Sequence, residues 1–179
     1  ARVTFAKAKK IAQEIEDENR RVNALREIAR SQAEAKEYTD AIETAEEIKN
    51  QWDQANALKS IVSVQINAKD FPAALATANL IKEPLTKSQA LSGIANAQAW
   101  AGDCTAAMET AEAIEIESEK TNALVAIDND QAWAGDVRGT LKIVEKIEDI
   151  FQRIDILVAI VKGQATTKNF TAALETVEE

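Results

Sequence analysis

A 33-residue repeat runs through almost the whole chain and constrains the fold more than any other feature. Residues 98–103 (QAWAGD) recur unchanged at 131–136. Three other columns keep one residue type at every step of the repeat. They are Leu25, Leu58, Leu91, Leu124 and Leu157; Ile28, Ile61, Ile94, Ile127 and Ile160; and Gln32, Gln65, Gln98, Gln131 and Gln164. A fixed period of this length indicates stacked structural units.

Each repeat contains two amphipathic helical patterns. The first pattern runs from Asn23 to about Lys36, and it recurs at the equivalent positions of later repeats. Residues 91–98 show its apolar stripe, in which small or apolar residues fall at i, i+3 and i+4 and the buried glutamine at i+7. The second is clear at residues 71–81. Alanine dominates the apolar residues and only 4% of the chain is aromatic, a composition that favours helices. The sequence therefore predicts an all-α fold, an α-solenoid of antiparallel helix-turn-helix repeats.

Punctuation residues mark where these helices begin and end. Gly102 and Gly135 can take the left-handed conformation that closes the first helix. Pro72 suits the first turn of the second helix, and Pro84 is expected to stop that helix just after Ile81. Polar residues suited to cap the second helix follow the first one; they are Asp70, Asp103, Asp136 and Asn169.

The predicted solenoid is a single unit that covers residues 1–179. It comprises a partial repeat at 1–21, whole repeats at 22–54, 55–87, 88–120 and 121–153, and a partial repeat at 154–179. The first partial repeat is a second helix that lacks its first helix, and the last one ends with a second helix, 170–179, that is shorter than its predecessors. We therefore expect either a piece of a longer array or ends that meet another molecule.

Charge and composition exclude several function classes. The net charge is −9, which disfavours nucleic acid as a partner. The chain has no histidine and a single cysteine, Cys104, so the commonest general base and the commonest metal ligand are both missing. No apolar run approaches the length of a membrane span. We predict a non-enzymatic protein with no catalytic residues, metal site, cofactor or membrane insertion.

The repeat resembles the tetratricopeptide-repeat (TPR) family in the spacing of its large and small residues from Phe5 to Glu179. The positions that carry this resemblance are Leu91, Ile94, Ala95, Gln98, Gly102, Cys104, Ala107, Ala111 and Ile114. Glutamine stands where the family has tyrosine, and alanine replaces its glycine. The period is also one position shorter than that of the family. The resemblance is to a divergent member.

The resemblance implies a partner-binding concave face made by the first helices. Its three columns are Asn23, Asn56, Gln89, Asn122 and Asp155; Arg26, Lys59, Ser92, Val125 and Val158; and Arg30, Ser63, Asn96, Asn129 and Lys162. Side-chain amides can donate to and accept from a peptide backbone. Alternatively, the first column caps the helices or ties neighbouring repeats together.

Two further groups on this face are candidates for partner contacts. Arg26, Arg30 and Lys59 form a basic cluster that could receive a carboxylate, unless Glu27 and Glu34 neutralise it.

Trp100 and Trp133 share one repeat position and could form a hot spot, or pack on each other and on the turn between repeats.

Other prominent residues are predicted to be structural. Trp52 aligns with Leu85 and Phe151 and is expected in the core, and Cys104 falls at a buried apolar position. The buried Gln32 column is expected to bond backbone groups at the turn between helices. The acidic runs at 43–47 and 109–115 are expected to be solvated helix faces rather than cation sites.

These features predict a protein-interaction module or scaffold that binds a peptide or partner helix on its concave face. A structural subunit that self-associates or docks through its open ends is the alternative. RNA binding ranks third because the chain is acidic.

Overall fold

The structure is a computed structural model that describes residues 2–134, 150–151, 153–154 and 157–158. Every helix that these residues form is an α-helix, and they contain no strand. The all-α prediction is therefore confirmed for the described part of the chain. The helices are α1 (Arg2–Gln13), α2 (Glu18–Glu34), α3 (Tyr38–Glu46), α4 (Gln51–Asn67), α5 (Phe71–Asn79), α6 (Pro84–Trp100), α7 (Cys104–Glu112) and α8 (Glu117–Ala134).

Long and short helices alternate from α2 to α8. The long helices begin at residues 18, 51, 84 and 117, and the short ones at 38, 71 and 104, so both series follow the period of the sequence repeat. Each long helix begins five residues before the start that the column of Asn23 predicts. The helices begin earlier because a capping residue stands just before each of the first two starts. Asp17 Oδ1 accepts a hydrogen bond from the Arg20 amide at 2.8 Å, and Asn50 Oδ1 accepts from two amides of α4.

Pro84 begins a helix and does not stop one. The preceding helix, α5, already ends at Asn79, and Pro84 is the first residue of α6. A proline fits this position because the first amides of a helix have no intrahelical acceptor. Glu83 completes the start by accepting from the amides of Leu85 and Thr86 at 3.2 and 2.6 Å.

The turn between long and short helix is built the same way three times. Gly102 has a φ of 86°, and its equivalents Lys36 and Lys69 have φ values of 62° and 58°. The following amides, of Glu37, Asp70 and Asp103, donate to carbonyl oxygens inside the preceding helix at 2.9, 2.9 and 3.0 Å. This pattern is a Schellman-type helix end. The prediction for Gly102 is confirmed, whereas Gly135 lies outside the described residues.

The short helices begin with the predicted caps. Asp70 and Asp103 each accept from the amide three residues ahead, and Pro72 lies in the first turn of α5. These expectations are confirmed, and Asp136 and Asn169 lie outside the described part of the chain. A cap of this kind satisfies one of the amides that a helix start leaves unpaired.

The chain forms two compact units, residues 1–94 and 95–179, which divide within α6. In the first unit α2 packs on α1, α3 and α4, and α5 packs on α4. In the second unit α7 packs on α8. Alanines with no exposed surface lie in the short helices and let helices approach closely; they are Ala41, Ala45, Ala74, Ala78, Ala107 and Ala111.

No helix in the described part of the chain is long and apolar enough to cross a membrane.

Candidate functional site

Each long helix carries a polar stripe on a different side from its buried leucine. In α2 the stripe contains Asn23, Arg26 and Arg30, and in α4 it contains Asn56, Lys59 and Ser63. All six are half-buried or exposed. Their spacing of i, i+3 and i+7 keeps them on one side of a helix. We call these residues, with those at equivalent positions of α6 and α8, the polar stripes.

Most of the predicted face residues of α6 and α8 also reach the surface. Gln89 and Asn96 are half-buried, and Asn122 is exposed. Ser92 is an exception, since it is buried and is therefore not a contact residue of the stripe. The Asn96 Oδ1 atom is also buried, and it accepts no hydrogen bond from the described residues. The side chains of Asn129 and Trp133 in α8 lie outside the described part of the chain.

The first column does not cap the helices. Asn23, Asn56 and Gln89 lie inside α2, α4 and α6, five residues after each start. The Asn56 amide group instead donates to the Trp52 carbonyl oxygen within its own helix at 2.9 Å. Gln89 does tie neighbouring repeats together, because its Oε1 accepts from Lys59 Nζ at 2.8 Å across α4 and α6. The alternative that this column links repeats is correct for Gln89.

Part of the positive charge of the basic cluster is neutralised by an acidic residue of the same chain. Arg30 pairs with Glu34, Nε to Oε1 at 3.1 Å, on a half-exposed surface. Arg26 and Lys59 have neutral hydrogen-bond partners, Asn23 at 2.7 Å and Gln89. The predicted neutralisation therefore applies to Arg30, whereas Arg26 and Lys59 bond neutral side chains and the charge of Lys59 also acts on the carboxyl of Glu83.

The side chain of Trp100 is almost entirely exposed to solvent. Its exposed fraction is 81%, the largest among the exposed large hydrophobic residues of the described chain. The alternative that it packs on the turn between repeats is therefore wrong for Trp100. An indole exposed to this extent leaves most of its apolar area in water.

Trp52 is not a core residue, contrary to the prediction. Its exposed fraction is 63%, and its equivalents Leu85 and Phe151 are exposed as well. The prediction failed because it placed the start of the long helix too late. With α4 beginning at Gln51, Trp52 precedes Asn56 and Lys59 by one and two turns and falls on the same stripe. The cap residue Asn50 was the sequence signal that could have located it.

The carboxyl of Glu83, just before α6, has a lowered pKa. Hydrogen bonds from the side chain and backbone amide of Thr86 lower the pKa of the Glu83 carboxyl below its ordinary value. The Leu85 amide and the charge of Lys59 also lower the pKa of this half-buried residue.

The remaining predicted structural residues depart from expectation in two places. Cys104 is half-buried and not fully buried. Gln32, Gln65 and Gln98 are buried as predicted, but their Oε1 atoms do not make the expected bonds to the turn backbone. Gln98 Oε1 accepts from the Thr110 hydroxyl at 2.8 Å, whereas the Oε1 atoms of Gln32 and Gln65 have no donor in the described structure.

Among the described residues, no group of three or more Cys, Asp or Glu could hold a metal ion. In the acidic run at 43–47, Glu47 contacts Lys9 and accepts from Gln13 at 2.8 Å, which joins α1 to the end of α3. Burial raises the pKa of the Tyr38 hydroxyl, and the charge of Asp70 adds to that effect.

A cavity of about 430 Å³ opens in the first unit beside α2 and the α3–α4 connection. Val22, Leu25 and Ile48 are its apolar lining residues. Arg21 stands at its edge and donates to the Ile15 carbonyl oxygen at 3.0 Å, and Gln54 makes the equivalent bond to Ile48 at 3.1 Å. Each of these bonds fixes the segment before a long helix to a side chain of that helix.

Comparisons with known proteins leave the family open. No family model matches the chain, and no curated protein matches it. A crystal structure, that of Ton1535 from Thermococcus onnurineus NA1, is 20% identical over 99% of this chain, with a TM-score of 0.27. The chain spans about half (53%) of the length of that protein. A likeness at this TM-score supports no statement about fold or function.

Proposed function

We propose that the chain is a protein-interaction module that binds a peptide or a partner helix on the polar stripes of its long helices. The exposure of Trp100 is the observation that carries the proposal. Tryptophan contributes more binding energy at interfaces than most residues, and an exposed indole gains that energy when a partner covers it. The half-buried amides of Asn56 and Gln89 add groups that can bond a peptide backbone.

We also propose that the repeats stack as a divergent TPR-like α-solenoid. The constant step between successive helix starts supports this architecture, as does the bond between Lys59 and Gln89 in successive long helices. In such a stack the polar stripes of successive repeats line one surface. A non-enzymatic role without cofactor remains part of the proposal.

The proposal predicts that a partner is lost when the stripes are changed. Wild-type chain and the variant Trp100→Ala, Trp133→Ala, Asn129→Ala would serve as baits for affinity capture from lysate, followed by mass spectrometry. We expect a partner to bind wild type and to fall by about tenfold or more with the variant, because truncating an interface tryptophan removes a hot spot.

The matched control for this capture carries three exposed substitutions on short helices, Glu43→Ala, Glu46→Ala and Glu109→Ala. It should retain the partner at the wild-type level. If the stripe variant and wild type capture the same partner equally, the binding surface lies elsewhere and the proposal is wrong.

A structural role is the second candidate, and it rests on Ile154. Its exposed fraction is 49%, whereas its equivalents Val22, Ala55, Ser88 and Thr121 are all buried. Phe151 and Val158 are exposed beside it at i−3 and i+4. An apolar face at a position that other repeats bury offers a contact for a helical repeat of a second copy.

Sedimentation velocity tests the structural role. We expect the mass of wild type to rise with protein concentration, and the variant Ile154→Glu, Val158→Glu to stay monomeric because charges cannot be buried there. Leu80→Glu, at another exposed apolar residue, is the control and should assemble like wild type. A single monomeric mass for wild type at all concentrations would remove this candidate.

A further inference from the structure

We propose that an extended segment of a partner protein lies in the groove between α4 and α6, with its main chain passing over Gly93 and one of its carbonyl oxygens accepting from the Gln89 side chain. The inference rests on the proposed function and selects an extended peptide over a partner helix. The groove is lined by Lys59 and Ile66 of α4 and by Gln89 and Gly93 of α6, which all belong to the compact unit of residues 1–94.

Two contacts bring these four residues together. Lys59 Nζ donates to Gln89 Oε1 at 2.8 Å, which joins the two helices. A Cβ atom at Gly93 would lie 3.8 Å from Ile66 Cδ1, so these two residues are neighbours further along the groove. Gln89 and Gly93 are four residues apart and share one side of α6, while Lys59 and Ile66 are seven apart and share one side of α4. All four are half-buried, so a partner can reach them.

The fold does not require a glycine at position 93. Gly93 lies inside α6 and has no positive φ, in contrast to Gly102. Its separation from Ile66 is an ordinary van der Waals distance, so the side chain of an alanine would fit there. A glycine in the interior of a helix is destabilising relative to alanine. Because Gly93 relieves no contact within the protein, the space beside it is open to the main chain of a partner, which approaches most closely where a side chain is missing.

Gln89 supplies a hydrogen-bond donor one turn before Gly93. Its Oε1 atom is held by Lys59, so its Nε2 group, which carries two hydrogens, is directed away from the Lys59 ammonium group. Among the described residues, no acceptor for that Nε2 group is present. Main-chain carbonyl oxygens of an extended peptide are free to accept such a bond, whereas those inside a helix are already paired. The donor therefore favours an extended segment as the occupant of the groove.

Thermal unfolding of the variant Gly93→Ala tests the role of the glycine without a ligand. We expect the midpoint to rise by about 1–4 °C, because alanine stabilises the helix and meets no clash. A midpoint below that of wild type would show that the packing of α6 requires the glycine, and it would overturn the inference.

A random peptide display library, selected on the wild-type chain, supplies the probe for binding. A selected peptide, synthesised with a fluorophore, should bind the variant Gly93→Leu about tenfold or more weakly by fluorescence anisotropy, because the new side chain fills the space over α6. Gly93→Ala should weaken binding to a smaller extent although it stabilises the fold. Gln89→Met keeps the side-chain length but removes the donor, and it should weaken binding about twofold to tenfold.

A control variant separates a blocked groove from a damaged fold. Ala76→Leu adds the same side chain at an exposed position of the short helix α5 and should leave binding unchanged. Far-UV circular dichroism of every variant should match wild type, because Gln89, Gly93 and Ala76 are not core residues. Addition of the peptide to wild type should not increase the helical signal, since the peptide binds in an extended form.

Each other outcome would overturn the inference in a distinguishable way. A peptide that binds Gly93→Leu as well as wild type but loses affinity with Trp100→Ala would leave the proposed function intact and remove this groove. A helical signal that grows on binding would make a helix the occupant. Concentration-dependent dimers of wild type that disappear with Gly93→Leu would make a second copy the occupant. The absence of any enriched peptide would reject both proposals.

Discussion

Replacing Ile61 by alanine should lower the free energy of unfolding by roughly 2–5 kcal/mol. Ile61 has no exposed surface and lies in α4, the helix that packs against α2, α3 and α5. Alanine removes three carbon atoms from a closely packed interior, and the helices around it can close the resulting cavity only in part. Urea unfolding followed by far-UV circular dichroism measures the loss.

Two isoleucines provide graded controls for this substitution. Ile11 is 56% exposed, so Ile11→Ala should change the stability by much less. Ile28 occupies the same repeat position as Ile61 but is only half-buried in α2. Its replacement by alanine should cost an intermediate amount. Equal losses for Ile11→Ala and Ile61→Ala would show that Ile61 is not packed as described.

The second large loss of stability is expected when a buried hydrogen bond between α6 and α7 is removed. Thr110 Oγ1 donates to Gln98 Oε1 at 2.8 Å, and both residues are buried in the second unit. Thr110→Val keeps the side-chain shape but removes the donor. The Gln98 oxygen then stays buried without a partner, and we expect a loss of about 1–3 kcal/mol in the free energy of unfolding.

Thr77→Val is the matched control, because Thr77 is the equivalent residue of α5. Its hydroxyl is buried and has no hydrogen-bond partner in the described structure, and the same holds for the Oε1 atom of Gln65. Removing an unpaired buried hydroxyl should be neutral or stabilising. If Thr77→Val costs as much as Thr110→Val, the hydroxyl of Thr77 bonds Gln65 in solution.

The glutamine column shows how far the sequence could predict such contacts. The constant spacing of Gln32, Gln65 and Gln98 within an apolar stripe correctly predicted that all three are buried. The Oε1 atoms do not bond the turn, because Gln98 Oε1 accepts from Thr110 and those of Gln32 and Gln65 have no donor in the described structure. A threonine stands twelve positions after each glutamine, at 44, 77 and 110, yet Thr44 donates to the Asp40 carbonyl oxygen and Thr77 is unpaired, so the repeat pattern does not specify the contact.

The candidate site was predicted in part. Asn23, Asn56 and Lys59 reach the surface as expected, whereas Ser92, in the same column as Lys59, is buried. Trp52 was missed because its large apolar side chain suggested burial, and the helix start was placed five residues late. Asn50 could have corrected that error, since asparagine just before a helix accepts its first amides.

The sequence by itself determined the helical class of the described residues, the 33-residue period of its pattern and the turn at Gly102. Caps, glycine and helical periodicity act over a few neighbouring residues, so the pattern of one repeat carries their information. Only the tertiary structure decided that Ile28 is less buried than Ile61, that Trp52 is exposed, and that Lys59 bonds Gln89. Burial and contacts of this kind depend on which atoms of other helices lie nearby, and identical positions in a repeat can have different neighbours.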